Sequence, residues 1–370
     1  MENVSFRAEH HRITKELEVY AEELLQRGYT NKEVSEITGI GQSVIKEIDN
    51  NRLRREYTEG GEERKNRSNE STVVLKKPDS YARCLAIDEF KLHDGYKFAT
   101  HIIDLETGHI LWIGYGKRKQ VVYDFIDHIG EEWMSHVEAV ACDMNSDFQE
   151  AFEERCNWIQ PVFDHFHIVK NFNDKVVAEV RKDEQKRLEA SGDIQGARAL
   201  KKTKYILTSK RSTLRRKDQE AADGKILSSE SSLFHQPEVK RHGGYETKYD
   251  QLLKENSLLF TLDLVKEQLD SAYQETNETE MAHRIMDIID MCNATDNKHL
   301  KWFARLLDHH FTGIISHASF RISTGKIEGI NNKIKAIRRQ AYGIPDDEYF
   351  FLKIIDASYR TYVRNPKSHM

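Results

Sequence analysis

The sequence predicts an α/β layer fold, a mixed five-stranded sheet with helices packed on it, combined with long all-α segments before and after it. Three observations carry that prediction. Residues 83–164 hold short apolar runs in the order βββαβαβ, residues 13–55 place apolar side chains at helical spacing, and residues 165–320 contain no strand-length run.

A chain of 370 residues exceeds the usual single-domain size, so several domains are expected. The 38% hydrophobic and 32% charged shares, with five prolines, describe a folded, helix-leaning chain rather than a disordered one. A net charge of -5 excludes a uniformly basic nucleic-acid binder, so any such binding must come from local basic faces. Cys84, Cys142, Cys156 and Cys292 are scattered with no C-x-x-C pair and read as reduced thiols. No apolar run approaches the roughly 20 residues of a membrane helix. A cytoplasmic location and no membrane partner are expected.

Residues 13–28 read as an amphipathic helix closed by Gly28. Thr30 followed by Glu33 is a capping box that opens a short helix. Gly39 to Gly41 makes a tight turn, and Ser43 starts a second helix with Val44, Ile45 and Ile48 inward. This is the pattern of a helix-turn-helix over residues 1–57, in which Gln42, Ser43, Lys46 and Arg52 would meet DNA. Any three-helix bundle would show the same spacing. Residues 58–80 are polar, with Gly and Ser, and read as a linker.

In the α/β region, 81–164, "RCLAIDEF", "YKFATHIID" and "HILWIGYG" read as three antiparallel strands, with "LETGH" as the turn between the second and third. Asp88 closes the first strand and Asp143 the fourth, "VEAVACDM". In a sheet of this order those strands are central neighbours, so both carboxylates can face one cleft. Asp at a strand end is as often a turn or helix cap, which leaves a local role open.

Within the helical stretch 165–320, residues 198–217 hold nine basic residues and no acidic one. Cations without a counter-charge would repel one another unless a polyanion neutralised them, which points to DNA contact by Lys201, Lys202, Lys204, Arg215 and Arg216. A solvated charged face is the competing reading.

The segment 321–370 is expected to add helices that complete the core. In "KIEGINNKIKAIRR", Ile327, Ile330, Ile334 and Ile337 fall on one side of a helix, while Glu328, Asn332, Lys335 and Arg339 line the other. Gly329 inside the helix suggests a close approach to the backbone. Glu328 alone fits a surface network. Together, Asp88, Asp143 and Glu328 suit oxygen coordination of two Mg²⁺ ions, with Asn332 supporting them. Lys333, Lys335, Arg338 and Arg339 would then hold phosphates.

The motifs "IDEF" (87–90), "DLETGHILWIG" (104–114), "ACDM" (141–144), "FDHFHIVK" (163–170) and "GKIEGINNKIKAIRRQAYG" (325–343) resemble, in this order, those of the DDE transposases of the ISL-three family of bacterial insertion sequences. The resemblance implies an RNase H-like catalytic core interrupted by a large helical insertion, with two Mg²⁺ or Mn²⁺ ions held by Asp88, Asp143 and Glu328 as the catalytic triad. It implies metal-dependent cleavage and strand transfer on double-stranded DNA, at terminal inverted repeats and at a target, by a homodimer or higher multimer. Asp164 and His167 match a D-x-x-H element that would support the active site; a helix-capping aspartate with a packed histidine is the local alternative. With no cysteine before Cys84, the family's N-terminal zinc-binding module is not represented in this sequence. A non-catalytic DNA-binding protein and an RNase H-like nuclease are the other functions the pattern allows.

Overall fold

The computed structural model describes residues 12–59, 74–93, 97–144, 146–224, 242–322, 325–340 and 346–360. It divides into two compact units, Met1–Pro161 with Ile322–Met370, and Val162–Arg321.

The first unit begins with three helices, α1 (Lys15–Gln26), α2 (Asn31–Thr38) and α3 (Gln42–Tyr57). Gly28 carries φ +96° just beyond α1, where Tyr29 N–H donates to the Leu24 carbonyl at 3.2 Å, and a Cβ at Gly28 would meet Arg360 Nη1 at 2.9 Å. The capping box forms as the sequence predicts: Glu33 N–H donates to Thr30 Oγ1 at 3.2 Å and Thr30 N–H to Glu33 Oε2 at 2.7 Å. Ala21, Leu24, Leu25, Val34, Ile40, Ile45 and Ile48 make the core of the three helices, with Val44 only half-buried.

The other side of α3 packs on the C-terminal helix Asp347–Tyr359 through buried charges. Arg52 Nη1 donates to Asp356 Oδ1 at 3.0 Å and Nη2 to Asp49 Oδ1 at 2.9 Å. Asp49 Oδ2 also accepts from Tyr349 OH at 2.6 Å and Lys353 Nζ at 2.8 Å, and Tyr57 OH donates to Asp356 at 3.1 Å. Charges are tolerated in an interior only when paired in this way. The three helices fall in the same compact unit as β1 to β4. Of the expected linker, residues 60–73 lie outside the described residues, while its ends are held. Thr58 bridges Leu75, and Trp133 Nε1 donates to the Ser80 carbonyl at 3.1 Å.

The sheet has the order β3-β2-β1-β4-β5, built from β1 (Cys84–Lys91), β2 (Phe98–Asp104), β3 (Ile110–Tyr115), β4 (Ala139–Ala141) and β5 (Gln160–Val162). β1, β2 and β3 pair antiparallel, and β1 and β4 pair parallel. The β2–β3 turn is fixed by Asp104, whose carboxylate accepts from Glu106 N–H at 2.8 Å and Thr107 Oγ1 at 2.7 Å, with Gly108 at φ +82°. One sheet face carries Trp112 against Phe125 of α4 (Lys119–Ile129), and Phe90 meets Phe350 and Phe351 of the C-terminal helix.

In the second unit the described regular structure after Val162 is helical, including a π-helical turn at Phe172–Val177. A buried cluster, Tyr249, Asp263 and Lys266, ties the helix Ser257–Ala272 to the chain before Arg211: Lys266 Nζ donates to Tyr249 OH at 2.8 Å and to the Leu207 carbonyl at 3.2 Å.

Candidate catalytic site

The parallel pairing of β1 with β4 runs Cys84↔Ala139, Leu85↔Val140, Ala86↔Ala141. Asp88 and Asp143 therefore each lie two residues beyond the last pair, at matching levels on neighbouring strands. Both are half-buried. Asp88 Oδ1 accepts from Glu89 N–H at 2.9 Å and Asp143 Oδ1 from Met144 N–H at 2.7 Å, which orients each carboxylate against its own backbone. The Glu89 carboxyl is pushed above its ordinary value, first by burial and then by the charges of Asp88 and Asp143, with Lys117 opposing. Asp88 and Asp143 thus place two negative charges near the second half of β1.

Opposite them runs the helix Gly325–Gln340. Ile327, Ile330 and Ile334 are buried on its inner side, while Glu328, Asn332, Lys335 and Arg339 are exposed. Asn331 reaches the carboxylate: its Nδ2 donates to Asp88 Oδ2 at 2.6 Å. Lys326 Nζ donates to the Leu105 carbonyl at 2.7 Å, and Arg338 Nη1 to the Lys91 carbonyl at 2.8 Å, so the helix is anchored to the β2–β3 turn and to the end of the strand that carries Asp88. The sequence expectation of a close approach at Gly329 is not met, because a Cβ there would meet nothing within 4 Å.

The oxygen donors and the negative potential fit a hard divalent cation. Asp88, Asp143 and Glu328 do not form a closed cluster, since no group of three or more His, Cys, Asp or Glu side chains among the described residues is placed to hold a metal. A family model described as Transposase, of the DDE ISL3 type, matches residues 85–354.

The chain belongs to this transposase family. It is also 26% identical over 355 residues, 96% of this chain and 76% of the relative, to the transposase for insertion sequence element IS1001 of Bordetella parapertussis. The matched interval contains Asp88, Asp143 and Glu328 and leaves out α1 to α3. No helix among the described residues of the transposase is long and apolar enough to cross a membrane.

Several expected DNA contacts need correction. Arg52 is buried at 2% exposure in its pairs with Asp49 and Asp356, so it faces the C-terminal helix and not DNA. On α3 the outward residues are Gln42, Ser43, Glu47, Asn51, Arg55 and Glu56, with Lys46 half-buried and 3.8 Å from Asp346. Arg338 is half-buried, with its guanidinium on carbonyls and over the Phe350 ring at 5.2 Å. Lys333 donates to the Ala357 carbonyl at 3.4 Å, and burial pushes its ammonium below the ordinary lysine value. Lys335 and Arg339 remain on the surface.

The basic stretch 198–217 is not without counter-charges, as its sequence suggests. Lys204 pairs with Asp174 at 2.9 Å, Lys210 with Asp270 at 2.8 Å, Arg211 with Asp250 at 2.7 Å and Arg215 with Glu246 at 2.6 Å. These partners come from elsewhere in the same unit. Lys201, Lys202 and Arg216 are exposed.

Asp164, also in the second unit, is buried and precedes the helix His165–Asn171 without capping it through its side chain. Burial and then the Asp164 charge push the Tyr273 hydroxyl well up. His165 Nε2 stands 3.0 Å from Asp270 Oδ1, though not aligned for a hydrogen bond. His167 is half-buried, its carbonyl accepting from Asn171 Nδ2 at 3.1 Å and its ring edge-on to Phe166. Sequence reasoning missed Asn331, choosing its neighbour Asn332. The spacing from Glu328, three residues against four, was the available signal, and it fits both.

Proposed function

We propose that the chain cleaves DNA at the ends of an insertion sequence and transfers the freed strand to target DNA, with Asp88, Asp143 and Glu328 as the carboxylates that hold two Mg²⁺ or Mn²⁺ ions. The observation that carries this reading is the matched position of Asp88 and Asp143 past the last β1–β4 pair, on a chain of the transposase family. Such ions, when bound, activate a water or a 3′-hydroxyl and stabilise the leaving 3′-oxygen in an in-line displacement at phosphorus.

The protein's own contribution is to hold and to place. Asp88, in β1, and Asp143, two residues past the end of β4, present two oxygen donors, and the Glu328 helix brings the third carboxylate with Asn332 beside it. Lys335 and Arg339, on the same exposed stripe, hold phosphates of double-stranded DNA. In the second unit, Lys201, Lys202 and Arg216 are exposed cations available to phosphates, while Lys204 and Arg215 can exchange exposed acidic partners for phosphates at little cost, since surface ion pairs contribute about 0–1 kcal/mol. Gln42, Ser43 and Lys46 read the terminal repeats from the start of α3. The active form is a homodimer or larger assembly on paired ends.

The test uses supercoiled plasmid carrying the flanking DNA of the chain's own gene, with Mg²⁺ or Mn²⁺, comparing the wild type with Asp143→Asn and Glu328→Gln. Nicks at the element boundary that vanish in both variants are expected. The exposed position of Glu328, outside any closed carboxylate cluster, favours a second reading: a DNA-binding protein that does not cut. Binding without metal-dependent cleavage by any of the three proteins would establish it.

A further inference from the structure

The role of Asn331 follows from its two polar atoms. Its Nδ2 donates to Asp88 Oδ2 at 2.6 Å, over 243 positions of sequence. The amide orientation is required by chemistry, because the reverse would set the amide oxygen against a carboxylate oxygen. The other atom, Oδ1, is buried and has no hydrogen-bond partner among the described residues. An orphaned buried acceptor carries a cost of roughly 1–3 kcal/mol, and it is kept where it serves something that the folded chain alone does not supply.

The placement of the helix says what that is. Lys326 and Arg338 fasten the helix to the β2–β3 turn and to the end of β1, so it is tied at two points about three turns apart, on either side of Glu328 and Asn331. Glu328 stands one helical turn before Asn331, on the adjoining part of the surface. The amide therefore joins the strand carboxylate Asp88 to the helix that carries the third carboxylate. It holds one oxygen of Asp88, while its own Oδ1 stays buried and without a partner among the described residues.

We propose that Asn331, and not Asn332, is a positioning residue of the cation site: it orients Asp88 through Nδ2, and its buried, unpaired Oδ1 is the cost of holding that orientation. This rests on the reading of Asp88, Asp143 and Glu328 as cation ligands. Partners that orient a metal-binding side chain in this way change metal affinity by about 10–100-fold when removed.

The test measures Mn²⁺ binding to the full chain directly, by the loss of the free-ion electron paramagnetic resonance signal, in the absence of DNA turnover. The wild type, Asn331→Ala, Asn331→Leu, Asn332→Ala and Asp143→Asn are compared, with circular dichroism and thermal melting in metal-free buffer. Asn331→Leu keeps the side-chain volume and removes both polar atoms, so it guards against a packing defect in the alanine variant. The expected result is binding weakened about 10-fold or more by both Asn331 substitutions, with melting close to that of the wild type, and unchanged binding by Asn332→Ala. Wild-type affinity in a folded Asn331→Leu protein, with binding lost in Asp143→Asn, would overturn the role of Asn331 and leave the carboxylate reading standing. Failure of the wild type to bind Mn²⁺ would overturn both.

Discussion

Arg52 and Asp356, 304 positions apart, form a buried ion pair between α3 and the C-terminal helix, with Arg52 Nη1 donating to Asp356 Oδ1 at 3.0 Å. The residue that the sequence offers as a DNA contact thus joins the N-terminal helices to the helix following the one that carries Glu328. Any movement of α3 on DNA is transmitted to that helix or must break a buried charge network.

Replacing Arg52 by methionine leaves Asp356 and Asp49 with fewer buried partners, and loss of one member of such a pair costs about 3 kcal/mol. Urea unfolding is expected to show a destabilisation of that size. A variant that melts like the wild type and binds DNA more weakly would place Arg52 on the DNA after all.

His101 lies in β2 directly opposite Asp88, fully buried, and neither ring nitrogen has a hydrogen-bond partner among the described residues. Burial depresses its folded-state value from 6.5 to about 4. The unfolded chain therefore binds the extra proton first, so the stability contributed by neutral His101 is complete above pH 6.5 and is lost as pH falls toward 4. The loss amounts to about 3 kcal/mol at the acid end of that window. Denaturant titrations at stepped pH should show this slope in the wild type and a flatter one in His101→Leu.

Lys335 and Arg339 are exposed on the Glu328 helix, whereas Arg338 is occupied by protein carbonyls. Changing Lys335 and Arg339 together to glutamine should reduce the salt dependence of DNA binding, the slope of log K against log salt, by about 2. Arg338→Gln should lower the melting temperature and leave the slope unchanged. Fluorescence anisotropy over a salt series distinguishes these outcomes; equal slopes for all three proteins would remove the helix from the DNA interface.

Gly313 supplies the carbonyl that accepts from Phe163 N–H at 2.9 Å, and a Cβ there would stand 2.5 Å from the Phe163 ring. Gly313→Ala should destabilise the chain by roughly 1–3 kcal/mol through overpacking.

The sequence by itself determined what depends on near neighbours. The β1 to β5 order follows from run lengths and their spacing, the capping box from Thr30 and Glu33, and the β2–β3 turn from Asp104 through Gly108. The adjacency of Asp88 and Asp143 was legible for the same reason, since strand order alone made β1 and β4 neighbours, but Asp88 lies inside β1, which runs on to Lys91, and not at its end as the sequence suggests. Tertiary structure alone decided which polar groups are spent inside the protein. Arg52 and Arg338 turn inward, and Lys204, Lys210, Arg211 and Arg215 find acidic partners, because their counter-groups lie far along the chain and no local pattern encodes a distant partner. Asn331 rather than Asn332 meets Asp88 for a related reason. Both flank Glu328 on a helix of 3.6 residues per turn, and only the packing of Ile327, Ile330 and Ile334 against the core sets the rotation that chooses between them.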